Sequence, residues 1–573
     1  MYVRTIKRRS KDGSTVSYVQ LAHNVWDPAR QQPRAQVIHG FGREDQLDRE
    51  ALSRLVRSIT RFLEPDEALA AQAPEGMRFL RSRPMGGAWV LDQLWRRLGV
   101  GEAIARVACG RRVTPLVERL LFCLVANRAL SPMSKLAALE WAQNDTWLPG
   151  VCELGSDPQI FYRAMDFLLD RDEEVQREVF FQVSDLLNLE VDLILFDTTS
   201  TCFEIPAESE DEFPRFGESK DKRPDLPQAV VGFAVTKEGI PVRCFVFAGN
   251  SSDQKIIRQV KDALREWRLQ RVIWVCDTGF NSEENRSYLQ RAGGHYILGE
   301  KLRQGTANRA ALARPGRYRS VDEGLQVKEV WVGSGETRRR FVVCRNQDEA
   351  RRDKHRRERA LERLGEELNA VERREGEART LTEAELLTHP TFKRYLHRRR
   401  GRLVIDRAVA SEEQHLDGKF LISSSDDDLS ADQLALYYKQ LKEVERAWRD
   451  QKHILDLRPI YHRKEDRIRA HVLLSFLALL LTRVIETRTR DTWPNLRREL
   501  ERIHLGYFHG TAGRVNQRTE LTLRQRENLA ALQIPEPPRF LAIEPARTRL
   551  VPHLHTPNRR SARNHGVFTA PPI

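Results

Sequence analysis

The sequence predicts a multidomain α/β protein: a mixed-sheet core interrupted by a β-rich insertion, with a helical region before it. Three observations carry that expectation. Two apolar runs, LILF and VIWV, have the length of buried strands, and each leads to an aspartate. Between residues 191 and 300 such runs alternate with stretches of helical periodicity, the rhythm of a layered α/β sheet. The chain of 573 residues is also longer than one hydrophobic core usually serves.

The elements follow in order. Residues 1–75 form a small β-rich unit, because TVSYVQLAHN and RAQVIHGFG alternate apolar and polar residues near Gly and Pro. Residues 76–187 form a helical segment, read from WVLDQLWRRLGV, PLVERLLFCLVANRAL, IFYRAMDFLLD and EVFFQVSDLLN. On a basic protein this segment suits DNA binding, and equally a packing or dimerisation role. Residues 188–300 begin the core: VDLILFDTT is a strand reaching Asp197, AVVGFAVTKEGIPVRCFVFAG a hairpin turned at KEG, and SDQKIIRQVKDALREWRL an amphipathic helix with a capped start at Ser252. RVIWVCDTGF is a second buried strand ending at Asp277, SEENRSYLQRAG a helix and HYILGEK a further strand.

From 301 to 425 the rhythm breaks into an insertion. Short strands, LQVKEVWVGSG and RRFVVCR, lead into a charge-dense helix, ARRDKHRRERALERLGEELNAVERREGEART, whose charges read as a solvated face. KRYLHRRRGR places six Lys/Arg in ten residues, a composition suited to phosphates, and GRLVIDRA and GKFLISS are two more strands. Residues 426–500 return to the core with one helix beginning near Asp432 and a buried helix around VLLSFLALLL, 472–481. Residues 501–573 supply a last helix, ENLAALQI, and a tail from Glu544 with five Arg, five Pro and one acid, expected to be basic and mobile.

Composition narrows the function classes. The net charge of +14 points to a polyanionic partner: nucleic acid, ribosome or membrane surface. The seven cysteines (109, 123, 152, 202, 244, 276 and 344) form no CxxC pair and several sit in apolar runs, so reduced buried thiols in a cytosolic protein are expected, with neither disulfides nor a zinc site. The start, MYVRTIKRRSKDG, has no apolar signal core, and the 472–481 run is about half of what a bilayer crossing needs. No membrane role is expected.

The chemistry gathers on acids. Catalytic groups in open α/β sheets collect beyond the carboxyl ends of strands, where Asp197 and Asp277 both stand beside a threonine. Two carboxylates held there ionised need a cation, and hard oxygen donors without a Cys/His cluster favour Mg²⁺ or Mn²⁺. Glu445 would complete a site for two divalent ions, which stabilise the attacking and leaving oxygens of a phosphoryl displacement. In YYKQLKEVERAWRDQK, Tyr438, Glu445 and Lys452 recur every seven residues and share a helical stripe, with Arg449 one turn beyond Glu445. Taken singly, an Asp at a strand end is also a turn former, and Glu445 is also an ion-pair partner for Arg449.

These residues resemble the DDE transposases of bacterial insertion sequences, in the group marked by Tyr-x2-Arg-x3-Glu-x6-Lys. Asp197 in LILFDTTS, Asp277 in VCDTGFNSEEN and Glu445 in VERAWRDQK match the catalytic acids, and Tyr438 and Lys452 fall on the signature spacing. Leu441 stands where the signature has arginine, leaving Lys442 or Arg449 to reach the phosphate. SKDKRPDLPQ, EGIPV…FAGNSSD and LDLRPIYHRKEDRIRAHV also look like this family, and the likeness covers about 186–485 well. It implies an RNase H-like catalytic core, with Asp197, Asp277 and Glu445 binding Mg²⁺ (Mn²⁺ substituting) and Tyr438, Lys442, Arg449 and Lys452 contacting DNA phosphates. It implies binding of terminal inverted repeats, hydrolysis at the element ends, and attack of the released 3′-OH on target DNA. The partners are double-stranded element ends and target DNA, met by a homodimer in a synaptic complex in the cytoplasm, at the nucleoid.

In relatives the insertion helps hold the DNA end, sometimes with an aromatic stacked on a flipped base. Trp331 in VKEVWVGSG is that candidate here, though it alternates with apolar residues as a core tryptophan does. Among nearby polar residues, Thr198 and Thr199 read as tying the first strand end to a turn, and Asn285, one turn beyond Asn281, as facing the site. Asp253 and Glu284 read as a helix cap and a surface acid, and Lys220, Lys222 and Arg223 as a basic loop. Two other functions remain: a metal-dependent RNase H-like nuclease without strand transfer, and a non-catalytic DNA-binding relative. The large insertion argues against the first and the intact acids against the second.

Overall fold

The computed structural model describes residues 1–9, 15–28, 30–60, 62, 77–109, 116–151, 157–189, 191–204, 213–267, 269, 272–458, 460, 462, 464–510 and 513–545. Cys152 and the basic tail beyond 545 lie outside the described residues. The chain divides into two compact units: residues 1–82, 506–518 and those from 539 onward, and residues 83–505 with 519–538.

In the first unit, β1 (Tyr2–Arg9), β2 (Thr15–Asp27) and β3 (Gln32–Arg43) make an antiparallel sheet in that order, followed by a helix, Arg49–Thr60. β4 (Arg78–Pro84) belongs to a second sheet completed from the far end of the chain.

Among the described residues, the second unit begins with six α-helices and a π-helical segment between Gly86 and Leu187. Of these, Val117–Leu130 is buried along nearly its whole length and packs with Gln159–Asp170 against the helix Glu465–Thr489. Glu465–Thr489 contains the apolar run of the sequence. It is long and apolar enough to cross a membrane, yet 94% of its most apolar window is buried inside the protein. It is a core helix, and its burial on every side explains why its sequence lacks a polar face.

The centre of this unit is a sheet built first from β5 (Leu193–Cys202), β6 (Gln228–Val235), β7 (Pro241–Ala248), β8 (Ile273–Cys276) and β9 (His295–Glu300). They lie side by side as β7-β6-β5-β8-β9. The pairs β5/β6 and β6/β7 are antiparallel, whereas β5/β8 and β8/β9 are parallel. The β6–β7 hairpin turns at Gly239, whose positive φ of 79° only glycine adopts without strain. An antiparallel meander followed by two parallel strands on its far side is the RNase H-like arrangement. The fold class is therefore as the sequence predicts. One face, from Ile194, Phe196, Trp274 and Cys276, packs on Ile256, Ile257 and Val260 of the helix Asp253–Arg265 and on Leu289 of the helix Glu283–Gln290. The opposite face receives the helices Ala431–Lys439, Leu441–His453 and Glu465–Thr489.

The insertion adds to this same sheet. β10 (Arg319–Asp322), β11 (Leu325–Val332) and β12 (Arg339–Asn346) precede a 26-residue helix, Gln347–Glu372, and a second helix, Gly376–Thr388. β13 (Leu396–Arg399) and β14 (Arg402–Ile405) form a separate hairpin, turning at Arg400 and Gly401, both at positive φ. β15 (Lys419–Ser424) then pairs antiparallel with both β12 and β9, so nine strands run continuously as β10-β11-β12-β15-β9-β8-β5-β6-β7. Leu364 and Val371 of the long helix form a satellite core with Leu386, Phe392 and Tyr395.

The described residues end with the helix Trp493–Leu500, then β16 (His504–Gly510), β17 (Gly513–Arg518), the helix Leu523–Ala531 and β18 (Phe540–Pro545). The strands form the sheet β18-β17-β16-β4. Only a helix and tail were expected in this stretch. HLGYFHG and GRVNQR are short and largely polar, and they become strands by pairing with partners distant in sequence. Of the described cysteines, 123, 244, 276 and 344 are buried as expected, but Cys109 is exposed and Cys202 half-buried; none is disulfide-bonded.

Candidate active site

Asp197 and Asp277 are brought together by strand register. β5 and β8 pair in parallel from Leu193↔Ile273 to Phe196↔Cys276, so the next residue on each strand is one of the two aspartates. Parallel neighbours lie about 4.8 Å apart and point the same way. Phe196 and Cys276 turn into the hydrophobic layer below, so the aspartates point to the opposite face. The sequence placed Asp197 at the end of its strand; β5 instead continues to Cys202, because β6 pairs with it from Leu195 through Cys202. Asp197 ends only the parallel ladder. Its carboxyl group is pushed up to about 6, first by burial and then by the charges of Asp277 and Asp253, with the Lys220 ammonium opposing.

Glu445 arrives from the helix Leu441–His453. Val444, Ala447, Trp448 and Gln451 form its buried face, the i, i+3, i+4, i+7 pattern that seats it on the sheet. Trp448 stacks on Phe233 of β6 with ring centroids 4.0 Å apart, and Gln451 donates to the Ser475 carbonyl at 2.8 Å. This seating leaves Glu445 exposed, and it makes no ion pair with Arg449. A single helix carrying Tyr438, Glu445 and Lys452 was expected. The structure bends it at Gln440 into Ala431–Lys439 and Leu441–His453, so Tyr438 belongs to the first and Glu445 and Lys452 to the second.

Tyr438 reaches the same place from its own helix. Its hydroxyl donates to Asp277 Oδ1 at 3.0 Å, and its ring lies over Phe420 of β15. Burial and the Asp277 charge raise the phenol far above its usual range, which keeps it a donor. Gly299 makes room for it, since a Cβ there would stand 2.3 Å from the hydroxyl. Asp197, Asp277, Tyr438, Leu441, Lys442 and Glu445 all line one cleft of about 460 Å³. Its other wall comes from the insertion, through Asn346, Glu349, Asp353 and Arg356.

Two family models match this chain. Residues 198–481 match the transposase DDE domain, a span that includes Asp277 and Glu445 and starts one residue after Asp197. Residues 3–71 match the N-terminal domain of the IS1634 family transposases. The chain belongs to the DDE transposases of bacterial insertion sequences. No curated protein matches it. The cryo-EM structure of a piggyBac transposase synaptic complex with hairpin DNA is similar at 10% identity and a TM-score of 0.34, over 74% of this chain and 82% of that chain.

This transposase is thus an enzyme that acts on DNA with a divalent metal. The donor set of its cleft fits such an ion: carboxylate oxygens alone, one of them on an acid whose burial disfavours its charge until a cation arrives. As the side chains stand, no three His, Cys, Asp or Glu among the described residues are gathered closely enough to hold a metal. Glu445 is exposed.

The remaining candidates divide. Lys442, next to the Leu441 that stands at the signature arginine's place, lines the cleft and has no ion pair among the described residues. Arg449 is exposed outside the cleft lining. Lys452 does not enter the cleft: its ammonium pairs with Asp221 at 2.9 Å, and Arg458 pairs with the same carboxylate. Trp331 is half-buried on β11, with the Arg338 guanidinium 4.0 Å over its ring. Asn285 turns away from the cleft. It is fully buried and donates to the carbonyls of Gln254 and Phe280. Glu284 is a surface acid paired with Arg258, as read.

Two residues near the acids, expected as a helix cap (Asp253) and as part of a basic loop (Lys220), make other contacts. Asp253 does not cap its helix; its Oδ1 accepts from the Thr198 hydroxyl at 2.7 Å. Ser252 holds the cap position without a side-chain capping bond. Lys220 lies 3.3 Å from Asp253 and 3.8 Å from Asp197, and donates to the Thr198 carbonyl at 2.9 Å. The only sequence signal for them was their place in the family-like stretches SKDKRPDLPQ and FAGNSSD.

Proposed function

We propose that Asp197, Asp277 and Glu445 are the catalytic acids and metal ligands of this transposase, with Mg²⁺ as the ion and Mn²⁺ able to replace it. The support is the β5–β8 register, which sets two carboxylates side by side on a face that a glutamate-bearing helix overlies. Bound there, a pair of divalent ions supplies charge stabilisation to the attacking and leaving oxygens of a phosphodiester. The residues of the chain do the positioning. Tyr438 orients Asp277 by its hydrogen bond; Lys442, exposed in the cleft lining, contacts a phosphate beside the scissile bond, and Arg449, exposed outside that lining, contacts one farther along the DNA. Lys452 joins them once it leaves Asp221.

The reaction is cleavage at the element's terminal inverted repeats to release a 3′-OH, followed by attack of that hydroxyl on target DNA. Residues 76–187 recognise the ends, 188–300 and 426–500 carry the chemistry, and the insertion 301–425 closes the cleft around the DNA. The β-rich unit 1–75 and the segment 501–573, with its basic tail, add contacts to flanking DNA. The net charge of +14 supports so extended a polyanionic partner. Two copies synapse two ends as a homodimer, at the nucleoid in the cytoplasm.

The deciding experiment incubates labelled DNA carrying the element's own terminal repeat with Mg²⁺ and either the native enzyme or Glu445→Gln. Nicking at the end and joining to a second DNA by the native enzyme alone upholds the reading. Nicking without joining leaves a nuclease, and binding without cutting under any divalent metal leaves a DNA-binding relative.

A further inference from the structure

The Lys220 ammonium stands between two carboxylates and is committed to neither. It is 3.8 Å from Asp197 and, nearer, 3.3 Å from Asp253, while its hydrogen bonds go to the carbonyl and the hydroxyl oxygen of Thr198. Thr198, 2% exposed, joins the pair from below by donating its hydroxyl to Asp253. The backbone is shaped around this acid: a Cβ on Gly279, two residues past Asp277, would stand 2.8 Å from Asp253 Oδ2. Helix capping explains none of this, because the cap position is Ser252 and the Asp253 carboxylate points to β5 instead.

A cation at Asp197 competes with any divalent ion that Asp197 is to bind. Displacing a lysine from a half-buried carboxylate with no other acid in reach strands a positive charge in a poorly solvated place. A second acid within reach removes that cost.

We propose that Asp253 is a positioning residue of the transposase, the acceptor that takes Lys220 over from Asp197 when a divalent ion enters. The inference rests on Asp197 being a metal ligand. Asp253 then acts on metal affinity through Lys220 and not by ligation. Without Asp253 the ammonium settles on Asp197 and the ion must displace it unaided. Without Lys220 there is no competitor, and Asp253 has nothing left to do.

The test is Mn²⁺ binding to the full-length protein without DNA, counting free ion by electron paramagnetic resonance, for native protein, Asp253→Asn, Lys220→Met, the double variant and Asp197→Asn. The expected result is an affinity about five- to tenfold weaker in D253N, a coupling of ordinary size. K220M binds more tightly than native, and the double variant matches K220M. If D253N binds as native, or if its loss persists undiminished in the K220M background, the inference is overturned. Should D253N not fold, K220M alone decides, since unchanged or weaker binding by it contradicts competition. Asp197→Asn separates the two levels: if it binds Mn²⁺ as the native protein does, the metal-ligand assignment fails, whereas its loss of Mn²⁺ beside an unaffected D253N sinks only the role given to Asp253.

Discussion

At the scale of single residues, the site depends on one missing methyl group. Gly299 lets the Tyr438 hydroxyl lie against β9 and donate to Asp277. Gly299→Ala is expected to push that hydroxyl off the carboxylate and slow single-turnover end cleavage about tenfold, the worth of one hydrogen bond to a charged group. Tyr438→Phe should show a similar loss and the double variant little more, whereas a further large loss would mean that Gly299 serves something else. The sequence revealed the acids because each follows an apolar strand or sits on a patterned helix. It hid Asp253 and Lys220, since the hydrogen bond from Thr198 to Asp253 spans 55 positions of chain and no local pattern encodes it. Lys452 shows the same limit. Its spacing was legible, but its partner Asp221 lies 231 positions away.

At the scale of elements, the Glu445 helix is held by its aromatic underside. Trp448 is 6% exposed and stacked on Phe233, which also meets Phe476 of the central helix. Trp448→Ala is expected to cost about 3–5 kcal/mol of stability by cavity formation, read as a lowered denaturant midpoint with unchanged slope. The same change should lower cleavage more than DNA binding, because it unseats Glu445 and leaves most basic residues untouched. The helix itself was legible from period and composition. Its bend at Gln440 was not, since Gln440 keeps a right-handed conformation and no Pro or Gly marks the break. The strands β16, β17 and β18 were missed for another reason. They are short, partly exposed and specified by pairing with each other and with β4; β18, FLAIEP, does open on an apolar run, but one too short to tell strand from helix.

At the scale of the whole molecule, stability is tied to pH through buried bases. Burial, reinforced by the nearby charges of Lys135, Arg467 and Arg128, lowers His462 from 6.5 to about 4. His471, fully buried and accompanied by Lys135, Arg128 and His462, is also lowered well below its usual value. In the unfolded chain both bind protons near pH 6.5, so the stability these two residues contribute is lost as pH falls from about 6.5 toward 4. The loss from His462 is on the order of 2 kcal/mol. The melting temperature of the native protein relative to that of His462→Gln should fall across that range, and a difference that stays constant with pH would contradict this. The RNase H-like fold and the insertion were expected from the family resemblance; from the residues alone, a mixed α/β sheet and the break in its rhythm after residue 300 were legible. That the insertion's strands prolong the catalytic sheet was not, because β15 reaches β9 only after more than a hundred intervening residues. The β9–β15 pairing makes the insertion a cover as well as a wall. Cutting out residues 301–425 would bare the backbone donors and acceptors of β9, an apolar strand at an open sheet edge, which invites another chain to pair there. Such a shortened transposase is expected to self-associate, seen by light scattering, so that a minimal enzyme would need a capped or charged β9 before its chemistry could be measured at all.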